Sequence, residues 1–93
     1  MEFLKYNSFP DDLIDKIYRK IGENVKKKRK EKGISQLELS LALGFKSVSL
    51  VSQAENYLYK KHFNIEHLIK IASILEVDIC AFFKGVGEII NNK

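Results

Sequence analysis

Apolar residues recur along this chain at the three- and four-residue intervals that line one face of an α-helix. Leu13, Ile14, Ile17, Tyr18, Ile21 and Val25 form the first such stripe. Pro10-Asp11-Asp12 precede it, and proline and acids suit a helix N-terminus. The pattern predicts one helix over 11–32, with a break at Gly22 as the alternative; glycine there costs about 1 kcal/mol relative to alanine and allows a kink or a close crossing. Gly33 ends it, since only glycine takes the left-handed C-terminal turn without steric cost. Ser35-x-x-Glu38 is a capping box and opens a helix over 36–43 that buries Leu37, Leu39 or Ala42, and Leu43. Gly44 closes that helix. Ser47 stands as the next N-cap, with Val48, Val51 and Ala54 facing inward; small Ala42 and Ala54 would let the two helices approach. Asn64 caps a fourth helix with Ile65, Leu68, Ile69, Ala72 and Leu75 inward, and Asp78 caps a short fifth over 79–83.

Within this pattern, 34–56 reads as two short helices joined by a glycine turn, the spacing of a DNA-reading helix-turn-helix. The outward face of the second helix carries Ser49, Ser52 and Gln53, with Lys46 just before it. These groups can hydrogen-bond phosphates or base edges. The same apolar pattern fits a plain helical hairpin in a small bundle, so the spacing alone leaves both readings open.

The segments IGENVKKKRKEKGISQLELSLALGF, VSQAEN and NIEHLIKIASILEVDICAFF resemble, in this order, the Cro/repressor-type helix-turn-helix family, also called the XRE family. The resemblance implies an all-α, compact five-helix domain that binds double-stranded operator DNA, often as a homodimer. It places Gln36 where the family contacts the DNA backbone, and Ser47, Val48, Ser49 and Gln53 where base contacts are usual. Asn56 matches a backbone-contacting asparagine, and Arg29 and Glu55 match a buried structural salt bridge. The implied organisation is an arm and helical extension over 1–20, the DNA-binding domain over 21–84, and a short tail over 85–93.

The chain also departs from the family pattern. The stretch from Gly44 to Glu55 is one residue longer than the commonest spacing. Tyr57 stands in place of the usual glycine, and the loop YLYKKHF is about two residues longer than usual in such domains. No Arg or Lys lies between Ser47 and Asn56, so the commonest guanine contact is missing and A·T-rich sites are favoured.

Composition narrows the function further. The chain has 93 residues, enough for one modest core, and 45% apolar residues, suited to a globular helical protein. A formal net charge of +4 suits a polyanionic partner. The basic run Lys26-Lys27-Lys28-Arg29-Lys30 reads either as a solvated face or as a phosphate-facing flank. Lys60-Lys61-His62, after the recognition helix, is the stronger phosphate-contact candidate. The lone Cys80, in the apolar context VDICAFF, excludes an internal disulfide and is expected to be buried. His62 and His67 lack zinc-ligand spacing, so no metal or cofactor is expected. The absence of a glycine-rich phosphate loop and of a nucleophile beside a base argues against an enzyme. No apolar run has transmembrane length and the N-terminus lacks signal-peptide order, which points to the cytoplasm and away from a membrane.

Two readings remain. One is a sequence-specific regulator, most simply a repressor dimer on a palindromic operator. The other is a protein-binding module or antitoxin-like protein using the same fold, with Leu50, Tyr57, Leu58, Tyr59 and Phe63 as exposed contacts. The apolar arm MEFLKYNSFP would pack on the domain or on a second copy. Val86, Ile89 and Ile90, with Phe82 and Phe83, would close the core or pair two subunits.

Overall fold

The long first helix sets the frame on which the rest of the chain is hung. The computed structural model describes residues 10–92, so the arm over 1–9 lies outside the described residues. Helix α1 runs Leu13–Glu31, α2 Gln36–Ala42, α3 Ser49–Glu55, α4 Ile65–Leu75 and α5 Val86–Asn91. A short 3-10 segment occupies Ile79–Phe83, and Leu58–Lys60 forms a tight turn with left-handed backbone at Tyr59 and Lys60. The fold is all-α, and the described residues contain no strand. Phe82, Leu39, Leu68, Ile71, Leu75, Val25 and Val51 are fully buried and form the centre of one core.

Helix α1 starts at Leu13 and passes through Gly22 without a break. Gly22 is there for proximity. An ideal Cβ at this position would lie 2.5 Å from the Ala54 carbonyl oxygen and 2.8 Å from that of Glu55. The close crossing therefore joins α1 to the end of α3. Ala42, expected to bring α2 and α3 together, is exposed.

The two helix ends that frame the motif obey their capping chemistry. Gly33 (φ 71°) follows α1, with the Ile34 N–H on the Arg29 carbonyl at 3.1 Å and the Gly33 N–H on that of Lys30 at 3.0 Å. Gly44 (φ 92°) repeats this pair of bonds after α2, from Phe45 to Ser40 and from Gly44 to Leu41, both 3.0 Å. Both are Schellman turns, which satisfy the last carbonyls and reverse the chain within two residues.

Several inward positions turn out to face solvent. Leu37 is exposed, because in a seven-residue helix only one stripe, that of Leu39 and Ser40, can point to the core. On α4 the buried stripe is Leu68, Ile71, Ala72 and Leu75. Ile65 and Ile69 fall at the edge of that stripe and are exposed, as is Ile14 on α1. The apolar positions of α4 span a broad face, so periodicity alone leaves open which edge of it meets the core. Cys80 is exposed rather than buried, since the short turn it occupies directs Phe82 inward instead. The chain over 86–91, expected as part of a tail, is helical and packs on α1. Val86 and Ile89 are half-buried, while Ile90 and Phe83 remain exposed.

Buried Asn24 holds this C-terminal region in place. Its amide donates to the carbonyls of Phe82 and Lys84, each at 2.9 Å, closing the open end of the 3-10 turn. Such a bond pair satisfies two carbonyls that the turn itself cannot.

Candidate nucleic-acid interface

The α2–α3 unit is oriented by one buried charge. The Arg29 Nε donates to Glu55 Oε2 at 2.7 Å and an Nη to Glu55 Oε1 at 3.0 Å. The other Nη donates to the Ile34 carbonyl at 2.8 Å, and Gln36 Nε2 donates to Glu55 Oε1 at 3.0 Å. Three donors thus converge on one carboxylate at the last turn of α3. They come from α1 and from the first residue of α2, so the three helices share a single anchor. A buried pair with bidentate geometry and saturated partners is costly to break, about 3–5 kcal/mol if one member is removed.

The start of α2 is fixed separately. The Ser35 Oγ accepts the Glu38 N–H at 3.0 Å, and Glu38 Oε1 accepts the Ser35 N–H at 2.9 Å. These bonds to Ser35 hold the Glu38 carboxyl below its ordinary value.

Against this frame, Lys46, Ser47, Val48 and Ser49 are exposed at the N-terminal end of α3, and Ser52 and Gln53 are half-buried along it. Val48, rather than the expected Ser47, is the N-cap of α3; it has helical angles and no side-chain cap bond, and the Ser47 hydroxyl only accepts the Ser49 N–H at a long 3.4 Å. Val48 is 37% exposed, so the buried residues of α3 are Val51, Ala54 and Glu55. Gln36 spends one amide N–H on Glu55; a primary amide keeps a second N–H and its oxygen for another partner. Asn56, just past α3, donates to the Ser52 carbonyl at 2.9 Å, and its side chain is exposed.

Lys60 and Lys61 sit on a loop with unusual backbone. Tyr57, Tyr59 and Lys60 all have positive φ (52°, 54° and 61°), where non-glycine residues carry strain of order 1–3 kcal/mol each. Helix α1 supplies the compensation. The Tyr57 hydroxyl donates to Asp15 Oδ1 at 2.6 Å, a bond that raises the phenol above its ordinary value and keeps it a donor. Arg19 lies over the Tyr57 ring at 5.3 Å, and Tyr18 stacks on His62 at 3.8 Å between centroids. His62 Nδ1 in turn lies 3.1 Å from the Lys60 carbonyl oxygen. The loop is therefore pinned at both feet, by Tyr57 and His62, and Leu58–Lys61 project between them. Tyr59 is 83% exposed at the tip.

This clamp went unseen in the sequence, although the missing glycine at Tyr57 marked the spot. Asp15, Tyr18, Arg19 and Gly22 share one face of α1, which was the remaining signal. The clamp also corrects the set of exposed contacts: Tyr57 and Phe63 are buried, Leu50 is half-buried, and only Leu58 and Tyr59 are open.

The basic run over 26–30 is divided. Arg29 is buried in the anchor. Lys27 is five residues from Gly22, about 140° round the helix, and lines a cleft with Lys20, Lys28 and Lys84. His67 is used structurally: its Nδ1 accepts the Asn64 N–H at 3.1 Å, while Asn64 Oδ1 accepts the His67 N–H at 2.8 Å. Among the described residues no helix is long and apolar enough to cross a membrane, and no three His, Cys, Asp or Glu cluster as metal ligands would.

A family model described as helix-turn-helix matches residues 25–82, from the second half of α1 to the Ile79–Phe83 turn. No curated protein matches the chain.

Proposed function

The chain belongs to the Cro/repressor-type helix-turn-helix family of DNA-binding regulators, and we propose that it acts as a repressor, occupying a palindromic operator as a homodimer. The observation that carries this reading is the anchoring of α3. Its last turn is fixed through Glu55 to both α1 and α2, and the residues that lead into it, Lys46 to Ser49, are exposed. A helix held at its rear and open at its front can enter a major groove without reordering.

In this reading Ser47, Val48, Ser49, Ser52 and Gln53 face the groove. Gln53 can pair with an adenine edge, and Val48 can touch a thymine methyl. Lys46, Gln36, Asn56, Lys60 and Lys61 meet phosphates, which set register and most of the affinity. Repression is steric, by occupation of the promoter, and the cytoplasm is the compartment where such a site is met. Two recognition helices of a dimer would enter grooves about 34 Å apart.

The second reading, a protein-binding or antitoxin-like role, is favoured by exposed Leu58 and Tyr59 at the loop tip. Selection of bound sequences from random duplex DNA at two salt concentrations separates the two. Enrichment of a palindrome, with preference changed by Gln53→Ala, is the result expected of the regulator. Weak, salt-sensitive binding with no enriched sequence would favour the protein-binding role.

A further inference from the structure

The basic run leaves a feature that the α3 face does not use. Lys20, Lys27, Lys28 and Lys84 surround a cleft of about 340 Å³ between α1 and the start of α5. Its remaining walls are Glu23, Asn24, Ala81, Gly85 and Glu88. Four ammonium groups thus meet two carboxylates. Lys20 lies 3.9 Å from Glu23, and Lys28 reaches Glu31 at 3.4 Å, outside the cleft. Lys27 and Lys84 have no carboxylate within salt-bridge distance among the described residues.

The walls are held in place. The two bonds from the Asn24 amide fix the chain at Phe82 and Lys84 against α1. Gly85 has φ 85°, and an ideal Cβ there would lie 2.9 Å from Lys20 Cε, so the Lys20 stem rests on the glycine backbone. This packing limits where the Lys20 ammonium can go. Gathering like charges in a recess raises the local concentration of anions. Lysines act as point charges for phosphate, whereas flat carboxylate recognition favours the arginine fork, and no arginine lines this cleft. The volume falls at the small end of ligand pockets, about 300–1,000 Å³.

We propose that this cleft binds a small molecule carrying two adjacent phosphates, at a site separate from the α3 face. Lys27 and Lys84 supply the free charges, and Lys20 turns from Glu23 to the ligand. Gly22 and Arg29, which meet α3, project from another side of α1, so bound ligand and duplex do not compete for the same atoms. This inference does not depend on the DNA reading.

The test uses the whole chain, titrated with inorganic pyrophosphate and separately with ADP, followed by calorimetry and by amide shifts in NMR. Saturable one-to-one binding is expected, with shifts at Asn24, Lys84 and Gly85. The Lys27→Gln/Lys84→Gln double variant should bind at least about tenfold more weakly, while Lys60→Gln/Lys61→Gln should bind as the parent does. These lysine changes lie on the surface, and an unchanged melting temperature shows that the fold is kept. Tighter ADP than pyrophosphate binding would identify a nucleotide; equal affinity would identify the diphosphate alone. Non-saturating shifts, shifts centred on α3 or on Leu58–Lys61, or a response to acidic peptide with none to either phosphate compound would overturn the proposal.

Discussion

Substituting Gly22 by alanine sets two effects of known size against each other. Within a helix the change is favourable by about 1 kcal/mol from propensity alone. Against it stands the crossing with α3. The added Cβ would meet the carbonyl oxygens of Ala54 and Glu55 at 2.5 and 2.8 Å, where ordinary contact begins at 3.4 Å. Both obstacles are backbone, so no side-chain rotation relieves them, and α1 and α3 must separate by about 1 Å. Overpacking of this kind costs typically 1–3 kcal/mol. The separation also pulls Glu55 from Arg29, stretching bonds of 2.7 and 3.0 Å in a buried pair whose full rupture costs about 3–5 kcal/mol. The steric side wins, and a net loss of about 2–4 kcal/mol is expected. In a domain of this size each kcal/mol lowers the melting temperature by roughly 4–8 °C. Urea unfolding monitored by circular dichroism measures the loss directly. Gly87→Ala is the matched control: it too lies in a helix, but an added Cβ meets nothing within 4 Å. It should gain up to about 1 kcal/mol. A Gly22→Ala protein as stable as the parent would refute the close crossing and the account of α3 anchoring built on it.

Glu55→Gln leaves the Arg29 guanidinium buried without its counter-charge and should cost about 3 kcal/mol in urea unfolding; a loss under 1 kcal/mol would mean that the site admits water. Tyr57→Phe removes the bond to Asp15 and should cost about 1–2 kcal/mol, with increased amide exchange confined to Leu58–Lys61; unchanged exchange there would show that stacking alone pins the loop. Burial holds His67 below its ordinary value, so the folded state binds its proton less readily than the unfolded state. Its contribution is present above the unfolded value near 6.5 and is lost as pH falls through the lower folded value, when protonated Nδ1 can no longer accept the Asn64 N–H. His67→Gln, which keeps a capping-box side chain, should therefore lose less stability than the parent between pH 7.5 and 5.5; equal losses would remove His67 from this role.

The parts of the fold that could be read from the sequence are those governed by neighbours within five residues. Ser35 and Glu38 cap each other across three positions, Asn64 and Asp78 cap their own first turns, and Gly33 and Gly44 take the backbone angles that end their helices. What escaped reading depends on partners far along the chain. Nothing near Asn24 says that its amide will meet carbonyls 58 and 60 residues away. Gly22 looks like a flaw in a helix until α3 is laid against it. Ile65 and Ile69 have the same spacing as a buried pair, and only the packing of α1, α2 and the Ile79–Phe83 turn selects the other stripe. The candidate interface divides in the same way. Its polar face on α3 could be read, but the Tyr57–Asp15 and Tyr18–His62 clamp that positions Lys60 and Lys61 could not.

The division of the lysines makes a numerical claim about DNA binding. Around α3 the proposed phosphate contacts include three cations, Lys46, Lys60 and Lys61, because the helix itself bears none. Each neutralised phosphate contributes about −0.9 to the slope of log affinity against log salt. A dimer using six lysines should therefore show a slope of about −5. If Lys26, Lys27, Lys28 and Lys30 also met the backbone, fourteen contacts would steepen it to about −13. The two outcomes are far enough apart for fluorescence anisotropy over a modest salt range to distinguish them. A slope near −5 that falls by about two in the Lys61→Gln dimer agrees with DNA held only at the α3 face and its clamped loop. A slope beyond −10 would place the α1 lysines on DNA. Addition of pyrophosphate offers an internal check. It should leave the slope near −5 unchanged if the cleft is separate from DNA, and it would flatten a slope to which Lys27 and Lys28 contributed.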